Sequence, residues 1–312
     1  MSGGEKMTKH LISILDVEDS INDIIELATV IKTRQKNGEI YEPLKNKSLG
    51  MIFEKPSTRT RVSFEVGMTQ LGGHSLYLSP KDLQIGRGET VADTARVLSR
   101  YLSGIMYRAF SNKVMQELAD NASVPVINAL DDVEHPCQIL ADLLTIKEHK
   151  KKFSGLKMVY VGDGNNVCNS LMLGAAIVGM NMVVSCPEGY DPHKELYQKA
   201  LEIAEGNGCT LTMERDPVKA VTDADVVYTD VWISMGQEGP EAEAKERTFK
   251  PYQVNESLIS HAKPDYIFMH CLPAHRGYEV TDEVVDSENS VVLDQAENRL
   301  HAQKAVLEMF LG

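Results

Sequence analysis

Short apolar runs alternate along this chain with segments of helical period, and that alternation limits the fold more than any other feature. Leu49 to Phe53, His74 to Leu78, Gly104 to Tyr107 and Val124 to Asn128 are each short enough to be strands. Between them, Val62, Phe64, Val66 and Leu71, then Val91 to Tyr101, then Val114 to Ala119 read as helices. Strands and helices in strict alternation build a parallel sheet covered on both faces. The pattern restarts at Lys157 to Val161 and continues through Met182 to Ser185, Thr210 to Met213, Val226 to Thr229, Tyr266 to Met269 and Ser290 to Leu293. The expected fold class is α/β, with two doubly wound parallel-sheet domains joined by interdomain helices. A length of 312 residues agrees, because one core rarely grows that large.

A helix whose apolar repeat runs from Ile14 to Ile31, with Asp16, Asp19 or Ser20 available as a cap, is predicted up to Asn37-Gly38, before the first strand. Pro136 suits the first turn of another helix, whose basic end Lys147 to Lys152 fits a helix C-terminus at a domain junction. The last helix, carrying Leu300, Val306, Leu307, Phe310 and Leu311, is long enough to return to the first domain. The expected division is residues 1–134 with the C-terminal helix 295–312, an interdomain helix 135–152, and a second domain 153–294.

Hydrophobic residues at 43% and charged residues at 25% are ordinary for a folded soluble protein. No stretch approaches the apolar length of a membrane span, and Met1 to Lys6 lack a secretory apolar core, so the cytoplasm is the expected location. A formal charge of -13 argues against nucleic acid as a partner. Five cysteines without a CxxC pair argue against a disulfide framework and a structural zinc site.

Against that acidic background, one turn concentrates hydroxyls and cations: Ser57-Thr58-Arg59-Thr60-Arg61, between a strand and a helix. Unpaired backbone N–H groups and the helix dipole already favour an anion there, and the side chains add donors and charge. A capping serine followed by two surface arginines is the plainer reading of any one of these residues. Arg108 and Asn128 are expected at neighbouring strand ends, where ligands of parallel sheets collect. His135 and Gln138 flank the start of the next helix, and together they suit a carbonyl and its amino group. His135 alone would also suit a cap.

In the second half, Gly162-Asp163-Gly164-Asn165-Asn166-Val167 invites a dinucleotide reading, but valine stands where the third glycine belongs. Asn165 and Asn166 instead offer amides to a polar ligand. Asp230, at a strand end beside Trp232, suits an ammonium group. Residues 237–250 read either as a lid or as a surface helix. In His270-Cys271-Leu272-Pro273, Cys271 reads either as a nucleophile paired with histidine or as a small thiol packed near a ligand.

Ser57-Thr58-Arg59-Thr60-Arg61 with His135-Pro136-Cys137-Gln138 resembles the carbamoyl-phosphate site of the transcarbamylases. Asp230-Val231-Trp232-Ile233-Ser234-Met235-Gly236 and His270-Cys271-Leu272-Pro273 are similar to the ornithine-binding motifs of the family's ornithine branch, and the resemblance spans essentially the whole chain. It implies a carbamoyl-phosphate domain followed by an ornithine domain. Ser57, Thr58, Arg59 and Thr60 would take the phosphate, Arg108 would be shared between phosphate and carbonyl, and His135 and Gln138 would face the carbamoyl group. Cys271, Leu272 and Arg299 would close around the carbamoyl group and the reacting amine. Gln84 matches a position that reaches the carbamoyl phosphate of a neighbouring subunit, which implies a homotrimer or an assembly of trimers. Asn166, Asp230, Ser234 and Met235 would hold ornithine. Arg59, Arg108 and His135 would stabilise the tetrahedral state, with no metal or cofactor required. Putrescine or N-acetylornithine as acceptor, an NAD-linked dehydrogenase and a non-catalytic regulator are the alternatives.

Overall fold

The computed structural model describes residues 9–81, 83, 88–233 and 240–312, which divide into two compact units. Unit 1 comprises Met1–Leu140 with Arg299–Gly312, and unit 2 comprises Ala141–Asn298.

Unit 1 opens with a 3-10 turn, Ile14–Ser20, followed by α1 (Ile21–Lys36). Ser13, rather than a later residue, caps this start: its hydroxyl accepts from Leu15 N at 3.1 Å, and Asp16 reaches back to the amide of Ser13 at 2.8 Å. Then come β1 (Ser48–Phe53), α2 (Thr58–Gln70), β2 (His74–Leu78), α3 (Val91–Leu98), β3 (Gly104–Arg108), α4 (Asn112–Asn121), β4 (Val126–Leu130) and the first turn of α5 (Pro136–Lys150), whose residues from Ala141 on belong to unit 2. The strands pair in parallel in the order β2-β1-β3-β4. The chain leaves β1 toward one side of the sheet and β3 toward the other, so the strand order switches between them. Ligands of open parallel sheets bind at the carboxyl ends of strands at such a switch. Phe53 and Arg108, the last residues of β1 and β3, are in register there. Ile52, Ile105, Tyr107, Met115, Leu118 and Val126 form a core on one side of this sheet.

Unit 2 runs β5 (Lys157–Val161), α6 (Asn166–Ile177), β6 (Asn181–Ser185), α7 (Lys194–Gly206), β7 (Leu211–Met213), α8 (Pro217–Val221), β8 (Val226–Thr229), α9 (Pro240–Phe249), α10 (Glu256–Ile259), β9 (Ile267–His270), α11 (Asp282–Val285) and the start of α12 (Val292–Leu311), whose residues from Arg299 on belong to unit 1. Its parallel order is β7-β6-β5-β8-β9, which puts the switch between β5 and β8. Gly164 lets the turn after β5 press against the backbone of residues 190–192: a Cβ there would lie 2.3 Å from Pro192 N.

Two expectations are corrected. Ser290 to Leu293 is not a strand; Ser290 makes one isolated bridge to Phe268, and α12 already begins at Val292. Asn128 lies inside β4 rather than at its end, and its amide is turned inward to Ile12 O and Asp131 at 2.8 and 2.9 Å. Of the segment 237–250, Pro240–Phe249 is helix, and residues 237–239 lie outside the described ones. No helix among the described residues is long and apolar enough to cross a membrane.

Candidate active site

In unit 1 the polar turn after β1 is built as a helix start. Ser57 caps α2, its hydroxyl accepting from Thr60 N at 3.3 Å, and Thr58 is the first helical residue. Arg59 is half-buried beside it, while Thr60 is buried. Arg61 does not join the cluster: it lies 4.0 Å above the Tyr77 ring and 3.3 Å from Glu65, on the exposed side of α2. The expectation that both arginines charge the turn therefore narrows to Arg59.

Arg108 ends β3 and is buried. Its backbone oxygen accepts from Glu54 N at 2.9 Å, which ties the end of β3 to the start of the turn. His135 sits just before α5, also buried, with its pKa well below the ordinary histidine value, first through burial and then through the guanidiniums of Arg299 and Arg108. The ring is thus neutral at neutral pH, and it offers a donor without a charge. Burial and then Arg108 likewise depress Lys55. Guanidiniums that disfavour further positive charge on His135 and Lys55 mark a place where positive charge has been gathered, which suits an anion. Arg299 completes the group: Nη1 donates to Gln138 Oε1 at 2.6 Å and Nη2 to Thr60 Oγ1 at 3.3 Å.

In unit 2 the switch between β5 and β8 holds a buried carboxylate. Asp230, directly after β8, accepts from Asn165 Nδ2 at 2.8 Å and from the Cys271 thiol at 3.0 Å. Asn165 also caps α6, its Oδ1 accepting from Val167 N at 3.0 Å and Cys168 N at 3.1 Å. Those are the amides that a dinucleotide phosphate would need, so the helix start is already occupied by the protein's own side chain. Asn166 is the first residue of α6, half-buried on the same rim.

Cys271 follows β9. Leu272, next in the chain, is in the left-handed region at φ 58°, with a cis bond to Pro273. Its N–H donates to His270 Nδ1 at 2.9 Å, so the ring proton sits on Nε2, 3.1 Å from Glu279. His270 is therefore engaged by Leu272 and Glu279, and the Cys271 thiol donates to Asp230. Asp230, His270 and Cys271 do bring an oxygen, a nitrogen and a sulfur within 4.8 Å of one another. Gln295 Oε1 accepts from His270 N at 2.9 Å, while its Nε2 donates to Asp142 at 2.7 Å.

The roles of Asn165, Glu279 and Gln295 as supports are not visible in the sequence motifs. Asn165 stands in the glycine-rich turn but carries no mark of its partner 65 residues on, and Glu279 has no motif at all. Gln84, Ser234 and Met235 lie outside the described residues.

The family pattern described as "Aspartate/ornithine carbamoyltransferase, carbamoyl-P binding domain" matches residues 9–148, and that described as "Aspartate/ornithine carbamoyltransferase, Asp/Orn binding domain" matches residues 154–310. The chain belongs to the aspartate/ornithine carbamoyltransferase family. Among its carbamoyltransferase relatives is the catabolic ornithine carbamoyltransferase of Thermoplasma acidophilum, 57% identical over 97% of this chain and 99% of that one. The ornithine carbamoyltransferase of Oceanobacillus iheyensis is 61% identical over 95% and 91% of the two chains. The solved ornithine carbamoyltransferase structure from Pyrococcus furiosus has a TM-score of 0.95, 56% identity and 98% coverage of both chains. The polar turn, Arg108, His135 and Gln138 lie within the residues of the first match, and Asp230 and Cys271 within those of the second.

Proposed function

We propose that this protein transfers the carbamoyl group of carbamoyl phosphate to the side-chain amine of L-ornithine, giving L-citrulline and phosphate. The observation that carries the reading is Asp230: a buried carboxylate, fixed by Asn165 and Cys271 at the switch of a parallel sheet, is a prepared site for an amino group. The names of the relatives reported above support ornithine over aspartate, putrescine or N-acetylornithine as acceptor.

In this reading unit 1 is the carbamoyl-phosphate domain. Ser57, Thr58, Arg59, Thr60 and Arg108 take the phosphate, while Gln138 and Arg299 orient the carbamoyl group. Unit 2 is the ornithine domain, with Asn166, Asp230, Ser234 and Met235 on the amino acid and Cys271 and Leu272 beside the reacting centre. A side-chain amine has an ordinary pKa of about 10.4 and must lose a proton before it attacks. As the new C–N bond forms, charge builds on the carbonyl oxygen. Arg59, Arg108 and the neutral His135 stabilise that charge until the C–O bond to phosphate breaks. We also propose that the enzyme is a cytoplasmic homotrimer, with Gln84 serving a neighbouring subunit's site.

The deciding experiment is a colorimetric ureido assay with carbamoyl phosphate and, separately, ornithine, aspartate, putrescine and N-acetylornithine. Product with ornithine alone is expected. Product with another amine instead would discard the roles given to Asp230, Ser234 and Met235. Light scattering checks the trimer, and a monomer at assay concentration removes the role given to Gln84.

A further inference from the structure

We propose that Gln303 is a positioning residue for carbamoyl phosphate, aiming the Arg299 guanidinium and, through Ser63, holding the backbone of Arg59. The inference rests on the reading of unit 1 as the carbamoyl-phosphate domain. Gln303 is fully buried in α12. Its Oε1 accepts from Arg299 Nε at 3.0 Å, and its Nε2 donates to Ser63 Oγ at 2.9 Å. The Ser63 hydroxyl lies 2.6 Å from the Arg59 carbonyl oxygen, against 3.2 Å from Gln303 Oε1, so its single proton goes to Arg59.

The relay has one direction. Arg299 can only donate, so the glutamine must turn its oxygen to Arg299 and its amino group to Ser63. Gln303 stands four residues after Arg299, on the same face of the helix. Because a guanidinium is planar and rigid, holding Nε sets the plane in which both terminal nitrogens lie. Those nitrogens meet Gln138 and Thr60, two residues given to the substrate above. The other end of the relay fixes the carbonyl of Arg59 in the first turn of α2. One buried amide thus supports two groups of the proposed phosphate and carbamoyl site while standing behind them: Arg299 directly and Arg59 through Ser63.

An apolar side chain of similar size would fill the same space but leave the buried Arg299 Nε–H and the half-buried Ser63 hydroxyl less well satisfied, so the amide matters for direction rather than for volume. Its loss is accordingly expected in carbamoyl-phosphate binding and not in ornithine binding.

The test measures initial rates with both substrates, together with thermal melting, for Gln303→Leu, Gln303→Glu, Ser63→Ala and the Ser63→Ala/Gln303→Leu pair. Gln303→Leu is expected to raise the KM for carbamoyl phosphate by about tenfold, the size of one hydrogen bond to a charged group, and to leave the KM for ornithine within about twofold. Gln303→Glu keeps an acceptor for Arg299 but sets a negative charge against it. It is expected to melt no lower than Gln303→Leu and still to bind carbamoyl phosphate poorly, a split that a purely structural residue does not produce. The double variant should match the worse single one, because both break the same relay. If Gln303→Leu does not fold, Ser63→Ala carries the same expectation at about threefold. An unmoved carbamoyl-phosphate KM, equal rises in both KM values, or recovery of binding together with stability in Gln303→Glu each overturns the proposal. Absence of turnover in the unsubstituted enzyme overturns the functional reading beneath it, whereas an active enzyme indifferent to Gln303 overturns this inference alone.

Discussion

Arg59 and Arg61 are two residues apart, yet their surroundings differ in kind. Arg59 is half-buried on a turn whose carbonyl Ser63 holds, and Arg61 is stacked on Tyr77 beside Glu65, with nearly half of its side chain exposed. An exposed ion pair contributes little, about 0 to 1 kcal/mol. Calorimetry with carbamoyl phosphate should therefore show no binding heat for Arg59→Ala and a dissociation constant within about threefold of the parent for Arg61→Ala. Comparable losses in the two variants would mean that the turn does not divide its arginines this way. His135 makes a second argument at this scale. Its ring protonates near 6.5 in the unfolded chain but only at much lower pH in the folded one. Below about pH 6.5 the unfolded state binds more protons, so stability contributed by the neutral ring is complete above that pH and is lost as pH falls toward the depressed value. His135→Gln should flatten this loss. Urea midpoints at pH 7.5 and 5.5 check it, and an equal acid loss in both proteins would refute it.

Among the elements, β1, β3, β5, β8 and β9 were legible because short β-branched and apolar runs bounded by polar residues have few other uses in a chain of this kind. The start of α12 was not. Val291, Val292 and Leu293 have strand composition, but Gln295 N closes onto Val291 O at 2.9 Å and its side chain holds His270 N and Asp142, so tertiary bonding overrides local preference. The same distinction governs the site. Arg108, His135, Asp230 and Cys271 stand out as candidates in the sequence because reactive types fall at or beside predicted strand and helix ends. Their supports do not, since Asn165, Glu279 and Gln303 show their meaning only through partners elsewhere in the fold. Asn165 is also a test of an element: it caps α6 and braces Asp230 with one side chain. Asn165→Ala should lower stability by about 1 to 3 kcal/mol, combining a lost cap with a lost bond to a buried carboxylate. A urea midpoint unchanged from the parent would show that another group takes over the cap.

For the whole molecule, the decisive fact is that unit 1 is discontinuous in sequence: it closes only when Arg299–Gly312 joins Met1–Leu140. That segment supplies Arg299 to the proposed carbamoyl-phosphate site, and it also supplies core. Val306, Leu307 and Leu311 are buried, with Leu311 packed against Gly104 of β3 and Leu307 near Gly67 of α2. Burying a side chain of that size contributes about 1.5 to 3 kcal/mol, so these three bring about 5 to 9 kcal/mol to unit 1. Domains of this kind are stable by only about 5 to 15 kcal/mol in all. A chain ending at Asn298 therefore lacks a margin sufficient to keep unit 1 folded, while the described core of unit 2, which draws on Val159, Val227, Phe268 and Val284, loses none of those residues. Limited proteolysis should cut the truncated protein throughout residues 9–140 and leave a resistant fragment within 141–298. Equal resistance of both regions would show that residues 1–140 form a sufficient core by themselves. In that case the terminal helix would serve the site through Arg299 and Gln303 and not the fold.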